Sequence, residues 1–471
     1  MNDRISLMFF VTVIGASSFS MTLDEYLSEV RKKNRALNSM TVSQEASEAK
    51  RAAGDLALSP VFTAGYSLAS DKSLPNSVAD RREMTELSLG LAKKFSTGTA
   101  LSLTAKTDQF ENDKPTTPSL AEYSTGTLGL TLQQSLWKDF FGQATRLRND
   151  REWSVQKLES LTIDLKARGL LIEAESAFWD YAVAQEDLKL KKENLERAKK
   201  IESWTTNRVN NGISDRSDLM NARALASIRE LELSLAQDEL KAQDLRLRQN
   251  LDLSDAESTP AIQANLFDTR PYMQDLSKQK NVIKIDAYLS SLEAKTKKLV
   301  AEEVEDSLKP DLNFIGSYNT NSYNRDYATT QSDISKTDRP KTFVGVNLTW
   351  MFDTEAKQSQ LAAARKEALA LRFLSEKNLK NGQEAWLEQQ RKYEVSLQNV
   401  KTLEKIAQYQ RERAKAEQDK FAKGRTITAN VVTAETDSAE AEVKFLKAKS
   451  GLRKLEASAL MFMPIENNEK Y

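Results

Sequence analysis

The chain has 471 residues with 68 basic and 68 acidic side chains, and it contains neither histidine nor cysteine. These absences exclude disulfides, Cys/His zinc sites and the catalytic triads that depend on histidine. The balanced charge gives no basic field for nucleic acid. Only carboxylates spread along helix faces remain as catalytic candidates, so the sequence predicts no enzyme, no cofactor and no nucleic-acid partner.

Residues 1–20 have the pattern of a signal peptide. Arg4 precedes an apolar run, Ile5–Ile14, that is too short to span a bilayer, and small residues follow at Gly15–Ser18. The pattern predicts export, with cleavage after Ser18 or Ser20. The alternative is a buried N-terminal helix.

Helices predicted at residues 21–59 lead into strands at residues 60–137. In the strand region apolar residues alternate with small or polar ones, as at Leu87, Leu89 and Leu91. Such alternation predicts strands with one apolar face, which an outer-membrane barrel and a soluble sandwich share. The region includes an extra hairpin, Glu86–Phe110, that the second half of the chain lacks.

Residues 138–259 are expected to form a long helical hairpin that turns at Gly212. No proline interrupts Gln143–Asn210, so a helix of about 100 Å is expected there. A seven-residue repeat in each half predicts left-handed coiled-coil packing. Its positions are Leu219, Ala226, Leu233, Leu240 and Leu247, and then Leu379, Trp386, Tyr393, Val400, Ala407, Ala414 and Phe421.

The second half repeats the plan of the first. We expect a linker and lead-in helix at residues 260–309, strands at 310–352, a second helical hairpin at 353–463 with its tip at Gly424, and a C-terminal tail at 464–471. Around each tip glycine a cation lies four residues before, an Asx residue six after and an alanine ten after. The chain is an internal duplication, and both glycines are expected in the left-handed conformation that ends a helix.

Aromatic residues gather where strands meet helices, at Trp137, Phe140, Trp350 and Phe352. Such residues are typical of membrane interfaces, although packing explains them equally well. Four to six strands per chain are fewer than the smallest outer-membrane barrel needs, and open strand edges are not tolerated in lipid. A barrel would therefore be shared between copies. The extra hairpin, Glu86–Phe110, would either add two strands per chain to it or fold over its outer rim.

In this order, the segments resemble the outer membrane efflux protein family typified by TolC. The resemblance rests on Met21–Leu27, on Ala46–Pro60 before the first strand, on Leu130–Trp137 before the long helix and on the two glycine tips. It implies a mixed, mainly α fold. Duplicated helical hairpins would form a coiled-coil tunnel, and transmembrane strands would contribute to the shared β-barrel of a homotrimer.

The resemblance also implies a function. Members of this family are passive exit ducts of efflux pumps or type I secretion systems, in the outer membrane with a large periplasmic part. They dock to a periplasmic adaptor and an inner-membrane transporter, and Gly212 and Gly424 would mark the adaptor-docking tips. The alternative is a coiled-coil stalk of a structural or adhesive surface protein, which needs neither paired strands in each half nor duplicated tips.

One departure from the family pattern concerns the periplasmic entrance. Where well-known members have carboxylates six and nine residues after the second tip glycine, this chain has Asn430 and Thr433. Asp218 retains an acidic group in the first copy, and Arg425 is its possible partner across the aperture. These four residues are the candidate gate. The alternative for Asp218, of equal weight, is helix N-capping.

Overall fold

The computed structural model describes residues 21–72, 79–254, 257, 259–260, 262 and 272–464. The predicted signal peptide and residues 465–471 of the predicted tail lie outside this part. Its α-helices are α1 (Leu23–Lys33), α2 (Arg35–Gly54), α3 (Gln143–Asn210), α4 (Arg216–Asn250), α5 (Tyr272–Ser277), α6 (Ile285–Ser307), α7 (Tyr327–Asp333), α8 (Thr354–Ala422) and α9 (Thr428–Ser458). Its strands are β1 (Val61–Asp71), β2 (Arg81–Lys94), β3 (Thr99–Asp113), β4 (Glu122–Ser135), β5 (Val282–Lys284), β6 (Asp311–Asn324), β7 (Pro340–Thr349) and β8 (Phe462–Pro464).

The chain forms two units. Within the described residues, the helical unit comprises 21–43, Thr162–Tyr288 and 379–464. The sheet unit comprises Gln44–Leu161 and Leu289–Asn378. The helical hairpin tips therefore belong to the first unit and the long strands to the second.

In the helical unit, a capping box fixes the start of α1. The backbone N–H of Thr22 donates to Glu25 Oε2 at 2.8 Å, and the Glu25 N–H donates to Thr22 Oγ1 at 3.4 Å, which satisfies free donors of the first turn. The buried face of α1 then packs Tyr26 against Phe178 and Trp179 of α3. Trp179 is only 2% exposed, so this aromatic cluster anchors α1 to α3.

A second core of the helical unit forms around a short antiparallel sheet. Val282 of β5 pairs with Pro464 of β8, and the ring of Phe462 lies 5.3 Å from that of Trp386. The second helical hairpin was expected to continue to residue 463. Instead α9 ends at Ser458, because the following residues leave the helix to pair with β5.

The seven-residue repeats lie on packed helix faces. Leu219, Ala226 and Leu247 of α4 are buried, and the other two positions of that repeat are half-buried. In α8 the buried positions are Trp386, Ala407, Ala414 and Phe421. Among the described helices, none is both long and apolar enough to cross a membrane.

The sheet unit contains six antiparallel strands in the order β1-β2-β3-β4-β6-β7. The extra hairpin is β2 and β3, and it lies within the sheet rather than across its rim. β2 pairs with β1 from Val61 opposite Ala92 to Asp71 opposite Arg82, and β3 pairs along its other side with β4. Of the two arrangements considered for this hairpin, the structure has the one that extends the sheet.

The segment between β6 and β7 contains the short helix α7, which the sequence analysis did not predict. Asp326 caps that helix, because its Oδ2 accepts the Thr329 N–H at 2.7 Å. The hydroxyl of Ser322 in turn donates to the carbonyl of Thr330 at 2.8 Å. These bonds hold α7 against the sheet.

Candidate functional site

The two hairpin tips have the same backbone geometry. At the first, the Gly212 N–H donates to the Val209 carbonyl at 3.0 Å and the Ile213 N–H donates to Arg208 at 2.8 Å. The second repeats both bonds, from Gly424 to Phe421 at 3.0 Å and from Arg425 to Lys420 at 2.8 Å. The glycines have φ of +74° and +70°, which confirms the left-handed conformation predicted for both.

The matched spacing after each glycine has a packing origin. Helices α4 and α9 both begin four residues after their glycine, at Arg216 and Thr428. The alanines ten residues after it, Ala222 and Ala434, are both fully buried. Because a larger side chain has no room in such a position, alanine recurs in both copies.

The Asx residues six positions after the glycines brace the tip loops. Asp218 Oδ2 accepts the hydroxyl of Ser214 at 2.6 Å, and Asn430 Nδ2 donates to the hydroxyl of Thr426 at 3.1 Å. Asp218 does not occupy the N-cap position of α4, which is Asp215, and it lies inside the first turn; the Asp215 side chain forms no capping bond among the described residues. The Asp218 carboxylate ties the turn to the preceding loop.

The two tips pack against each other within the chain. The guanidinium of Arg208 lies 4.9 Å from the centre of the Phe421 ring, and its Nη1 donates to the Thr426 carbonyl at 3.5 Å. The Trp204 ring lies 6.3 Å from that of Phe421. At the matching position of the second copy, Lys420 pairs with its near neighbour Glu417. The two tips have the same backbone conformation, but the side-chain contacts between them come mainly from Arg208 of the first copy.

Glu435 links both hairpins below the tips. This α9 carboxylate is 5% exposed, and it accepts a hydrogen bond from Arg197 Nε of α3 at 3.0 Å. It also accepts one from Gln418 of α8. Three helices therefore converge on one buried charge, a connection that the sequence analysis did not predict.

Glu435 begins a charged seam along α9 that recurs every seven residues. The seam consists of Glu435, Glu442, Lys449 and Glu456, and all four are buried. Glu442 accepts a hydrogen bond from Arg411 at 2.6 Å, and burial lowers the pKa of the Lys449 ammonium. The spacing is visible in the sequence, but a search for apolar heptads passes over it.

The other candidate gate residues lie on the surface of the single chain. Arg425, Asn430 and Thr433 are exposed and Asp218 is half-buried. Within the part of the chain that the structure describes, neither Asp218 nor Arg425 forms an ion pair, and the two are not brought into contact. A gating role for these residues would therefore depend on contacts between copies of the chain.

The six-stranded sheet has two different faces. On one, large apolar side chains lie exposed on successive strands; among them are Phe62, Leu91, Leu103, Leu130, Tyr318, Val344 and Val346. Most of their neighbours along the strands are small or polar and point to the other face, with Val61 and Phe343 as apolar exceptions. A sheet that exposes so much apolar surface needs a partner that is not water.

The junction between β4 and α3 is held by Asp139, a residue with positive φ of 54°. Its N–H donates to Asp306 at 2.8 Å, while its carboxylate accepts from Lys94 at 3.0 Å and from the Thr145 N–H at 3.0 Å. Burial would raise the pKa of this carboxyl, but the bonds from Thr145 and Lys94 outweigh it and hold the pKa below its ordinary value. The turn is closed by Gly142, with φ of +81°.

The aromatic residues predicted for a membrane interface flank these junctions. Trp137, Phe140 and Trp350 are about half-exposed, and Phe352 is 77% exposed. The rings of Trp350 and Phe352 lie 5.0 Å apart, between β7 and α8. These aromatic rings therefore lie on the surface of the chain and are not buried in a core.

The sequence matches no protein-family model and no curated protein. Its structure is similar to the outer-membrane channel OprN, with 17% identity, a TM-score of 0.63, and coverage of 93% of this chain and 89% of that chain. It is also similar to the open-state MtrE outer membrane channel of Neisseria gonorrhoeae, with 14% identity, a TM-score of 0.64, and coverage of 93% of this chain and 88% of that chain. For the outer membrane protein VceC of Vibrio cholerae the identity is 13%, the TM-score is 0.63, and the coverage is 93% of this chain and 95% of that chain.

These similarities define a class of fold. The chain has the fold of the TolC-type outer-membrane efflux channels, over almost its whole length. The predicted mixed, mainly α architecture with long helical hairpins and antiparallel strands is confirmed. Closure of a barrel by several copies stays a prediction.

Proposed function

We propose that the protein is an outer-membrane channel that forms the passive exit duct of a tripartite efflux pump or a type I secretion system. One observation carries the proposal: a sheet with an exposed apolar face belongs to the same chain as duplicated helical hairpins, in a fold shared with known outer-membrane channels. Lipid would cover the apolar face, and Trp137, Phe140, Trp350 and Phe352 would lie at the membrane interface.

The duct would be a homotrimer. Among the described strands, β1 and β7 each pair on one side only, and such edges are not stable in lipid unless another chain completes them. The helices have unpaired surface as well, because Ile228, Leu231 and Leu235 of α4 are exposed at i, i+3 and i+7 spacing. Neighbouring copies would cover both.

The partners follow from the resemblance. A periplasmic adaptor would dock at the tips marked by Gly212 and Gly424, and an inner-membrane transporter would supply the energy for export. The protein itself would carry out no chemical reaction.

The proposal is tested on the detergent-solubilised full-length protein. Light scattering is expected to give a trimer, and that trimer is expected to conduct ions in planar bilayers. A monomer in mild detergent would contradict the proposal. A trimer without conductance would favour the surface stalk instead.

We predict that Gly212→Val and Gly424→Val each impair export. A Cβ at either glycine would meet nothing within 4 Å, so the effect comes only from the left-handed backbone, which costs a residue with a side chain about 1–2 kcal/mol. The tip would refold locally and lose its docking geometry. The measurement is drug efflux or protein secretion in cells that carry only the variant.

Gly451→Val is the matched control for the tip variants. Its Cβ also meets nothing within 4 Å, but Gly451 lies inside α9 without positive φ, so export should be normal. Trimer levels in the membrane should match in all three variants. Normal export by both tip variants would reject the tips as the docking end.

A second prediction concerns the candidate gate. If contacts near Asp218, Arg425, Asn430 and Thr433 hold the aperture closed, Asp218→Ala or Arg425→Ala should raise single-channel conductance. Exposed polar pairs contribute about 0–1 kcal/mol each, and three symmetric copies acting together could raise the open population by up to about two orders of magnitude. Because Asn430 and Thr433 are uncharged, divalent cations should block only weakly from the periplasmic side.

The control is Arg216→Ala, which removes an exposed cation from the first tip. It should leave conductance unchanged. Unchanged conductance in Asp218→Ala and Arg425→Ala would reject this set of residues, and strong block by a low concentration of divalent cation would place the entrance ring elsewhere.

A further inference from the structure

The hairpin β2–β3 is part of the wall of the sheet. It separates β1 from β4, and it is paired along both outer sides: Tyr66 of β1 lies opposite Leu87 of β2, and Leu103 of β3 lies opposite Leu130 of β4. The first half of the chain therefore supplies four strands to this sheet and the second half two.

The hairpin also continues both faces of the sheet. Across five strands the residues directly opposite one another are Phe62, Leu91, Leu103, Leu130 and Tyr318, and all five are exposed. The next position on each strand gives a row of small or polar residues, Thr63, Gly90, Thr104, Gly129 and Asn319. A flap over a rim would need no lipid-type face, whereas a section of barrel wall needs both faces.

The edges of the sheet are suited to closure with further copies. Because each of the six strands is antiparallel to its neighbour, the two edge strands β1 and β7 run in opposite directions. Contact between β7 of one copy and β1 of the next is therefore antiparallel, like every other pairing in the sheet. Three copies of a six-stranded sheet give eighteen strands.

We propose that three chains close an eighteen-stranded barrel. The β2–β3 hairpin would widen its exit, so that a large cargo, namely a polypeptide that retains secondary structure, can pass. This inference rests on the proposed export function. Without the hairpin, four strands per chain would give twelve. For strands about 4.8 Å apart and tilted about 40°, the backbone diameter is about 36 Å with eighteen strands and about 24 Å with twelve.

The difference in barrel diameter determines how large a cargo can pass through the exit. Barrels of 16–18 strands leave an open aqueous channel, and the cross-section here would be about twice that of the twelve-stranded form. The inner face of the hairpin suits a water-filled space. Small residues such as Ser88, Gly90 and Ser102 occupy one part of it, and the ion-paired Glu86 and Lys106 occupy the next. An α-helix with its side chains is about 10–12 Å across, so the wider barrel admits a helix-containing polypeptide with water around it.

The first test removes the hairpin. Deleting residues 72–113 joins β1 through the existing segment 114–121 to β4, and the two strands then meet in antiparallel orientation. Both proteins are placed in planar bilayers, and poly(ethylene glycol) of graded size is added on the barrel side. The largest polymer that enters and lowers conductance should be smaller for the deletion variant. An unchanged cut-off would overturn the proposal.

The second test does not depend on the deletion variant folding. The chain contains no cysteine, so single cysteines report cleanly on each face. Ser102→Cys should react with a charged, water-soluble thiol reagent and lower the conductance, whereas Leu103→Cys, one residue further and facing lipid, should not react. Ser88→Cys and Leu89→Cys form the same pair on β2. Equal reaction of both members, without a change in conductance, would show a flap outside the wall.

The outcomes separate the two proposals. A full-length protein that forms no conducting trimer contradicts the export function itself. A conducting trimer whose hairpin cysteines do not line the pore, or whose width is unaffected by the deletion, leaves the export function standing and removes the wide exit.

Discussion

Gly142→Ala is expected to prevent the strand-to-helix junction from forming. A Cβ at this position would collide with the carbonyl of Ser96 and would lie 2.8 Å from the Gly98 nitrogen, and the backbone φ is +81°. Both obstacles are backbone atoms, which no side-chain rotation removes. The left-handed strain and the overpacking together should destabilise the fold by about 3 kcal/mol or more. The measurement is the fraction of heat-resistant trimer in the membrane, which should fall at least about tenfold.

Gly169→Ala is the matched control for this variant. Gly169 lies inside α3, and its Cβ would make an ordinary contact of 3.6 Å with the methyl group of Met461. Alanine in a helix interior is favoured over glycine by about 0.5–1 kcal/mol, so the trimer fraction should be equal or higher. Equal trimer fractions for both variants would show that the junction tolerates the rearrangement.

Glu435→Ala is expected to open the proposed duct more than any exposed tip substitution. The variant removes the buried carboxylate from Arg197, which keeps a looser ion pair with Glu193 at 3.9 Å, and it leaves Gln418 without its acceptor. The Arg197 side chain is 29% exposed, so water offsets part of the loss, and a cost of about 2 kcal/mol per chain remains. That corresponds to about a 30-fold shift in each chain toward states in which the hairpins separate, compared with at most about fivefold per chain for an exposed pair. Single-channel recording should show a larger open probability.

Glu440→Ala, five residues along the same helix, is the control. Glu440 pairs with Lys444 at 3.2 Å, and both side chains are well exposed. Such a pair contributes about 0.3–0.5 kcal/mol, so open probability should hardly change. An equal response from both variants would mean that the general charge of α9, and not the link to Arg197, controls opening.

Much of the fold was predictable because its signals are local and repeated. The two tip glycines occur with the same flanking residues, and a left-handed helix end is fixed by four or five consecutive residues. The strands were visible from the alternation around Leu89 and Leu130. The heptad positions were visible from a period that only helices have.

The contacts across elements were not predictable in the same way. Nothing near Glu435 in the sequence indicates that Arg197, more than 200 residues earlier, donates to it. The β8 strand was missed because three residues carry too little pattern, and its partner β5 is far away in the chain. Helix α7 was not predicted because its capping residue, Asp326, lies in a polar segment that fits either helix or loop.

The charged seam of α9 has a consequence for how often two packed helices can part and rejoin. When an apolar interface separates, it exposes surface that costs about 25 cal/mol per Å² in water and that adheres to any other oily surface it meets. A wetted carboxylate or ammonium carries no such penalty, and buried ion pairs are near balance between desolvation and attraction. On closing, each charge accepts only its own counterpart, so Glu442 finds Arg411 and the helices return in register. The charged seam therefore suits helices that separate and rejoin repeatedly, unlike an apolar interface.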